Sequence, residues 1–202
     1  MSKPGERRLS PDDWAVAALK AIARGGLDAV VVEAIAKELG ATKGSFYWHF
    51  KNRDALIEAA LALWEQRTSE AVIKELEQLS DPQERLRKLM TIALGREGVG
   101  RAEIALLASP EHPAALAAVR RAAHRRIDYM AAQYELLGWA PEDALARAVL
   151  GYYVFVGHMQ MAHVVPDIIS AESRRRHLDL VFDALASAAP ASSSGRHAHD
   201  GQ

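Results

Sequence analysis

The chain has 202 residues, a 50% hydrophobic fraction and a formal net charge of -1, the profile of an ordinary globular protein with length enough for one large domain or two small ones. It contains no cysteine, which excludes a disulfide framework, a thiolate metal site and a cysteine nucleophile. A near-zero net charge leaves nucleic-acid binding open, because the placement of charge decides it.

Residues 1–8 (MSKPGERR) lack the apolar stretch of a signal peptide, so a cytoplasmic location is expected. Lys3, Arg7 and Arg8 form a basic arm suited to a phosphate backbone or a minor groove. Ser10-Pro11-Asp12-Asp13 then opens a helix with a capping residue, a proline in the first turn and two acids at the positive dipole end. Its apolar face is Trp14, Ala17, Ala18, Leu19 and Ile22, and Gly25-Gly26 ends it. The second helix is expected over Val32–Leu39 and the third over Lys43–His49.

Asn52 caps a fourth helix that should run to about Gln78, long enough at ~1.5 Å per residue to join one compact unit to another. Asp81-Pro82 starts a fifth helix, which the stretch Gly95–Gly100 interrupts. A short helix over Arg101–Ser109 stops at Pro110, and a long one over Pro113–Leu137 stops at Gly138. Pro141-Glu142-Asp143 opens the next helix and Pro166 closes it. Ser170 caps a last helix reaching Ala188, and residues 190–202 have the small, polar composition of a disordered tail. No segment alternates like a strand. The expected fold class is all-α with about nine helices: a three-helix domain over 1–56 and a larger helical domain over 57–189.

Ala148–Pro166 contains no Asp, Glu, Lys or Arg over about the length of a bilayer span. Its glycines, histidines and glutamine, and the polar helix beside it, point to a helix buried by other protein on most sides, with no membrane partner.

The second and third helices carry the chemistry. Ala36 and Gly40 supply the small residue and the turn of a helix-turn-helix, with Ile35, Leu39 and Phe46 between the two helices. Phe46 and Phe50 lie one turn apart and face inward, which leaves Thr42, Ser45, Trp48 and His49 on other faces. No carboxylate falls between Glu38 and Asp54, and a surface of donors and cations free of acids is what a polyanion selects. Lys43, Gly44, Ser45 and Trp48 are placed to carry sequence preference; Thr42, Tyr47, His49 and Lys51 are placed to meet phosphates.

Residues 32–56, with the pattern Phe46-Tyr47-x-His49-Phe50 followed by Ala55-Leu56, resemble the N-terminal domain of the tetracycline-repressor (TetR) family. The resemblance implies a homodimer whose paired recognition helices occupy successive major grooves of a near-palindromic operator in double-stranded DNA. It also implies a small-molecule effector held in the second domain. Two positions depart from the family pattern. Val31-Val32 stand where a capping Thr or Ser is common, and Arg53 stands where Lys is common, keeping the charge but changing its geometry.

In the second domain, Trp64, Met90, Tyr129, Met130, Tyr134, Tyr152, Phe155, His158, Met159 and His163 are effector-pocket candidates by residue type, and they favour a hydrophobic ligand. Leu178, Val181, Phe182 and Leu185 recur at helical spacing on the last helix and are assigned to a dimer interface. His158 and His163 are not at the one-turn spacing of a helical metal site, so no metal or other cofactor is expected. No Glu-x-x-His pair, phosphate loop or Gly-x-Ser-x-Gly elbow is present, which argues against an enzyme. The expected function is a ligand-responsive transcriptional regulator, a repressor; the alternative is a helical ligand-sensing or interaction module without DNA binding.

Overall fold

The computed structural model of the chain describes residues 9–95, 100–165, 167–168 and 171–185, and all regular structure among them is helical. The basic arm, Ser170, the stretch to Ala188 and the polar tail lie outside the described residues. Helix α1 (Pro11–Gly25) begins with a reciprocal box: the Ser10 hydroxyl accepts from the Asp13 amide at 3.3 Å, and the Asp13 carboxylate accepts from the Ser10 amide at 2.8 Å. A 3-10 turn (Leu27–Ala29) leads to α2 (Val32–Glu38) and then α3 (Lys43–Tyr47). Gly40 makes the bend between them at φ 65°, a backbone region that strains any residue with a Cβ. No side chain caps α2, because Val31 occupies the capping position.

Asn52 caps α4 (Arg53–Glu65), accepting from the Ala55 amide at 2.9 Å. The rod continues as expected but not as one α-helix: Gln66–Glu70 form a π turn before α5 (Ala71–Leu76) resumes. A π turn admits an extra residue and re-aims the side chains on it. Here it brings Thr68 and Ser69 to a guanidinium from a distant helix. Then follow α6 (Pro82–Gly95), α7 (Arg101–Leu107), α8 (Pro113–Leu136), α9 (Pro141–Val164) and α10 (Ala171–Leu185). With α4, the π turn and α5 taken as one rod, the described residues form nine helices.

The largest core lies between α1, α2, α3, α4, α7 and α8. Trp14, Ile22, Ile35, Phe46, Leu56, Ile57 and Trp64 sit in it at 0–1% exposure. Burial of each such side chain is worth about 1.5–3 kcal/mol as an upper estimate. The core runs without a gap through Ala60 and Leu61 to Ala102, Leu106, Ala118 and Ala122, so the three-helix head stands directly on α7 and α8. Ion pairs tie the rod to α8: Arg121 donates to Glu65 and Arg125 to Glu70, each with its guanidinium fork.

No described helix is long and apolar enough to cross a membrane. The uncharged half of α9 is less covered than expected. Leu150, Tyr153, Met161 and Val164 remain 51, 66, 47 and 69% exposed, because α9 packs on α8, α6, α7 and α10 and no described residue covers these side chains.

Candidate nucleic-acid interface and interior cavity

The third helix is held from beneath by rings. Phe46 is fully buried, meets Trp14 edge-on at 5.5 Å and stacks on Phe50 at 5.7 Å. Those contacts fix the roll of α3 and turn its other side outward. Trp48 is 83% exposed and Tyr47 56%, with Thr42, Lys43, Gly44 and Lys51 also exposed and Ser45 and His49 half-buried. Thr42, Gly44, Ser45, Trp48 and His49 share one shallow concavity. The Thr42 oxygen accepts from the Ser45 amide at 3.1 Å, so this hydroxyl caps the helix and keeps its own proton to donate. All eight residues proposed for DNA contact are therefore exposed or half-buried, and five of them share that concavity.

A carboxylate does reach this surface, from α2. Glu33 accepts from the Lys43 ammonium at 2.5 Å, with both side chains largely in water. The bond holds Lys43 above its ordinary pKa and Glu33 below its own. Counting acids along residues 39–53 does not find this pair; the signal would have been that Glu33 lies in the first turn of the preceding helix. Arg53 has a structural task. Its Nε donates to the Val30 carbonyl at 2.8 Å and its guanidinium NH2 donates to the Leu27 carbonyl at 2.6 Å. That fork ties the start of α4 to the turn before α2, and a lysine has no matching pair of donors.

Within the larger domain, the π turn, α5–α9 and the C-terminal part of α10 surround a cavity of about 650 Å³, within the size range of small-molecule sites. Met90, Tyr129, Met130, Tyr152, Phe155, His158, Met159 and His163 line it, as residue type suggested. Trp64 and Tyr134 do not. Trp64, at 1% exposure, turns into the core shared with α1, α7 and α8, and Tyr134 packs with Leu86, Ala144 and Ala148. Burial pushes the Tyr129 and Tyr152 phenols above the usual tyrosine range, and that of Tyr134 up to about 12. His158 stacks on His177 of α10, ring centres 5.8 Å apart.

Residue type does not reveal the polar wall of this cavity. Arg126 donates to Glu103 at 2.6 Å, to Thr68 at 2.9 Å and to Ser69 at 3.0 Å, and all four side chains line the space. The pair is withdrawn from water, at 11% exposure for Arg126 and 3% for Glu103. Removing one partner of such a pair is costly, since the other charge is left buried alone.

The stripe assigned to a dimer interface has another job within the chain. Phe182 and Leu185 are 5 and 3% exposed against Met90, Val181 packs on the same cluster, and the Arg87 guanidinium lies 3.7 Å over the Phe182 ring. Leu178 is half-buried. Helical periodicity marked these residues as covered, correctly, but the cover comes from α6 and α9 of the same chain. Among the described residues, the large apolar side chains left exposed on the last two helices are Leu145, Leu150, Tyr153, Met161 and Val164 of α9 and Leu180 of α10, the last at 62% exposure.

Residues 16–67 match the profile of a family described as bacterial regulatory proteins, tetR family. Among solved structures, the chain is similar to a transcriptional regulator from Rhodococcus sp. Rha1, at 24% identity and a TM-score of 0.73, covering 88% of this chain and 96% of that one. It is similar to a Rhodococcus sp. chain described as of the TetR family of transcriptional regulators, at 25% identity and a TM-score of 0.66, covering 88% and 98%. A Saccharomonospora viridis chain solved in complex with choline aligns at 21% identity and a TM-score of 0.73, covering 86% and 95%. No curated protein matches the chain in sequence.

Proposed function

From the premise that this chain belongs to the tetR family of bacterial regulators through its N-terminal domain, we propose that it is a cytoplasmic, ligand-responsive repressor. It acts as a homodimer on a near-palindromic operator. The observation that carries this reading is the outward face of α3, where exposed donors and a cation are held at fixed roll by the buried Phe46 and Phe50.

In the complex, the N-terminal turn of α3 enters the major groove. Lys43, Ser45 and Trp48 meet base edges, while Thr42, Tyr47, His49 and Lys51 meet phosphates. Gly44 lets the backbone approach. The dimer forms through the exposed apolar face of α9 and α10, Leu150, Tyr153, Val164 and Leu180, which a second copy can bury. A small, mainly apolar effector fills the cavity of about 650 Å³; the choline complex of the Saccharomonospora viridis chain supports a small-molecule site in this fold. Ligand favours a spacing of the two heads that no longer fits successive grooves, and the rod from α4 to α5 carries the shift.

Fluorescence anisotropy on duplex DNA from the region flanking the gene tests the reading. Affinity should fall by roughly 10³–10⁵ between about 50 and 200 mM salt if six or more phosphates are contacted. Binding that ignores salt, or that survives intact in both Lys43→Ala and Tyr47→Ala, would contradict it.

A further inference from the structure

The walls of the cavity carry more positive than negative charge. Arg67, Arg101 and Arg126 face it, and among the described residues Glu103 is the sole carboxylate that does. Glu103 is already engaged by Arg126. Arg67 and Arg101 are exposed, and neither forms an ion pair among the described residues. The segments that bear the three arginines meet at the Arg126 cluster. Thr68 and Ser69, which accept from Arg126, directly follow Arg67, and Glu103 stands two residues past Arg101.

Elsewhere the lining is apolar and adaptable. Met90, Met130, Met159 and Met161 all face the cavity, and flexible thioethers conform to ligands of varied shape. Tyr129, three residues beyond Arg126 on α8, also lines it. Its hydroxyl is buried with no hydrogen-bond partner, although the residue is only 7% exposed.

We propose that the cavity binds an amphipathic organic monoanion, with its carboxylate at the arginine end and its apolar body among the methionines and Phe155. This rests on the reading of the cavity as the effector site. Burying an anion is unfavourable without a countercharge, and here the surplus arginines supply one, with forked donors matched to a carboxylate. A cation would face like charge, and a neutral ligand would gain nothing from the arginines. The incoming carboxylate competes with Glu103 for Arg126. Because Arg126 also holds Thr68 and Ser69 of the π turn, this competition acts on the rod that carries the reading head.

Isothermal titration calorimetry on the full chain, with dodecanoate, dodecanol and dodecyltrimethylammonium below their micelle concentrations, tests the proposal. Dodecanoate should bind about ten-fold or more tighter than dodecanol, and the ammonium should not bind. The double variant R67Q/R101Q, altered only at exposed side chains, should lose most of the preference for dodecanoate over dodecanol. Equal or tighter binding of dodecanol or the ammonium, no binding of dodecanoate, or an unchanged preference in the double variant overturns it. Operator binding in the same samples separates the two readings. Dodecanoate that binds without changing DNA affinity upholds the anion site and refutes the ligand-responsive role, while DNA release by dodecanol alone does the reverse.

Discussion

In the head, one continuous core holds Trp14, Ile22, Ile35, Phe46, Leu56 and Ile57 at 0–1% exposure. In the body, the buried apolar residues beyond that core separate into three smaller clusters around a cavity of about 650 Å³, with a charged pair set into its wall. The difference suits the two roles proposed above. A face that is to read DNA in one register needs rings beneath it that cannot shift, and in the head those rings are buried. A sensing site must give up packing to admit a ligand, and it keeps order through directional bonds such as those of Arg126.

That contrast can be broken experimentally. The largest effect is expected in the head: Phe46→Ala should cost about 3–5 kcal/mol in urea denaturation and abolish DNA binding with it. A loss below about 1 kcal/mol would show that the head is not close-packed around this ring. In the body, Arg126→Met should cost about 3 kcal/mol, while the double replacement R126M/E103M recovers most of that loss because no charge is left buried alone. If the double variant is as unstable as the single one, the pair matters for its other bonds, to Thr68 and Ser69.

Smaller effects sharpen the division between surface and core. Tyr47→Ala and Lys43→Ala should each weaken operator binding about ten-fold, with the salt slope falling by about one unit only for Lys43→Ala, which removes a charge, while stability moves by less than about 0.5 kcal/mol. Gly100→Ala tests the cavity wall, since a Cβ there would lie 2.6 Å from the Met159 sulfur. Met159 has freedom to swing away, so the expected result is a stability change under about 1 kcal/mol with altered ligand affinity. Least of all, Glu33→Gln should free Lys43 and tighten DNA binding about two-fold at low salt, a gain that disappears as salt is added.

Much of the head was legible in the sequence. Ser10 and Asn52 are capping residues in fact as in spacing, Gly40 takes positive φ, and the pair Phe46 and Phe50 set the roll of α3. Here local signals and tertiary packing point the same way. The body was less legible, because periodicity says that a residue is covered without saying by what. Leu178, Val181, Phe182 and Leu185 show this directly, and Trp64 was assigned to the cavity by type although it faces the head's core. The π turn left no trace, since Gln66–Glu70 is polar enough for any exposed helix. One signal was present and unread: Arg126 lies on the same stripe of α8 as Ala118, Ala122 and Tyr129, all buried, and a lone charge on such a stripe requires a buried partner.

The central claim is that two copies of α3 read neighbouring grooves through the surface running from Thr42 to Lys51. Hydroxyl-radical footprinting of the DNA flanking the gene measures it most directly. The account predicts two protected patches on one face of the duplex, centred about 34–36 Å apart, present with the unaltered chain and absent with K43A/Y47A. A single patch, a different spacing, or protection that persists in the double variant would contradict it.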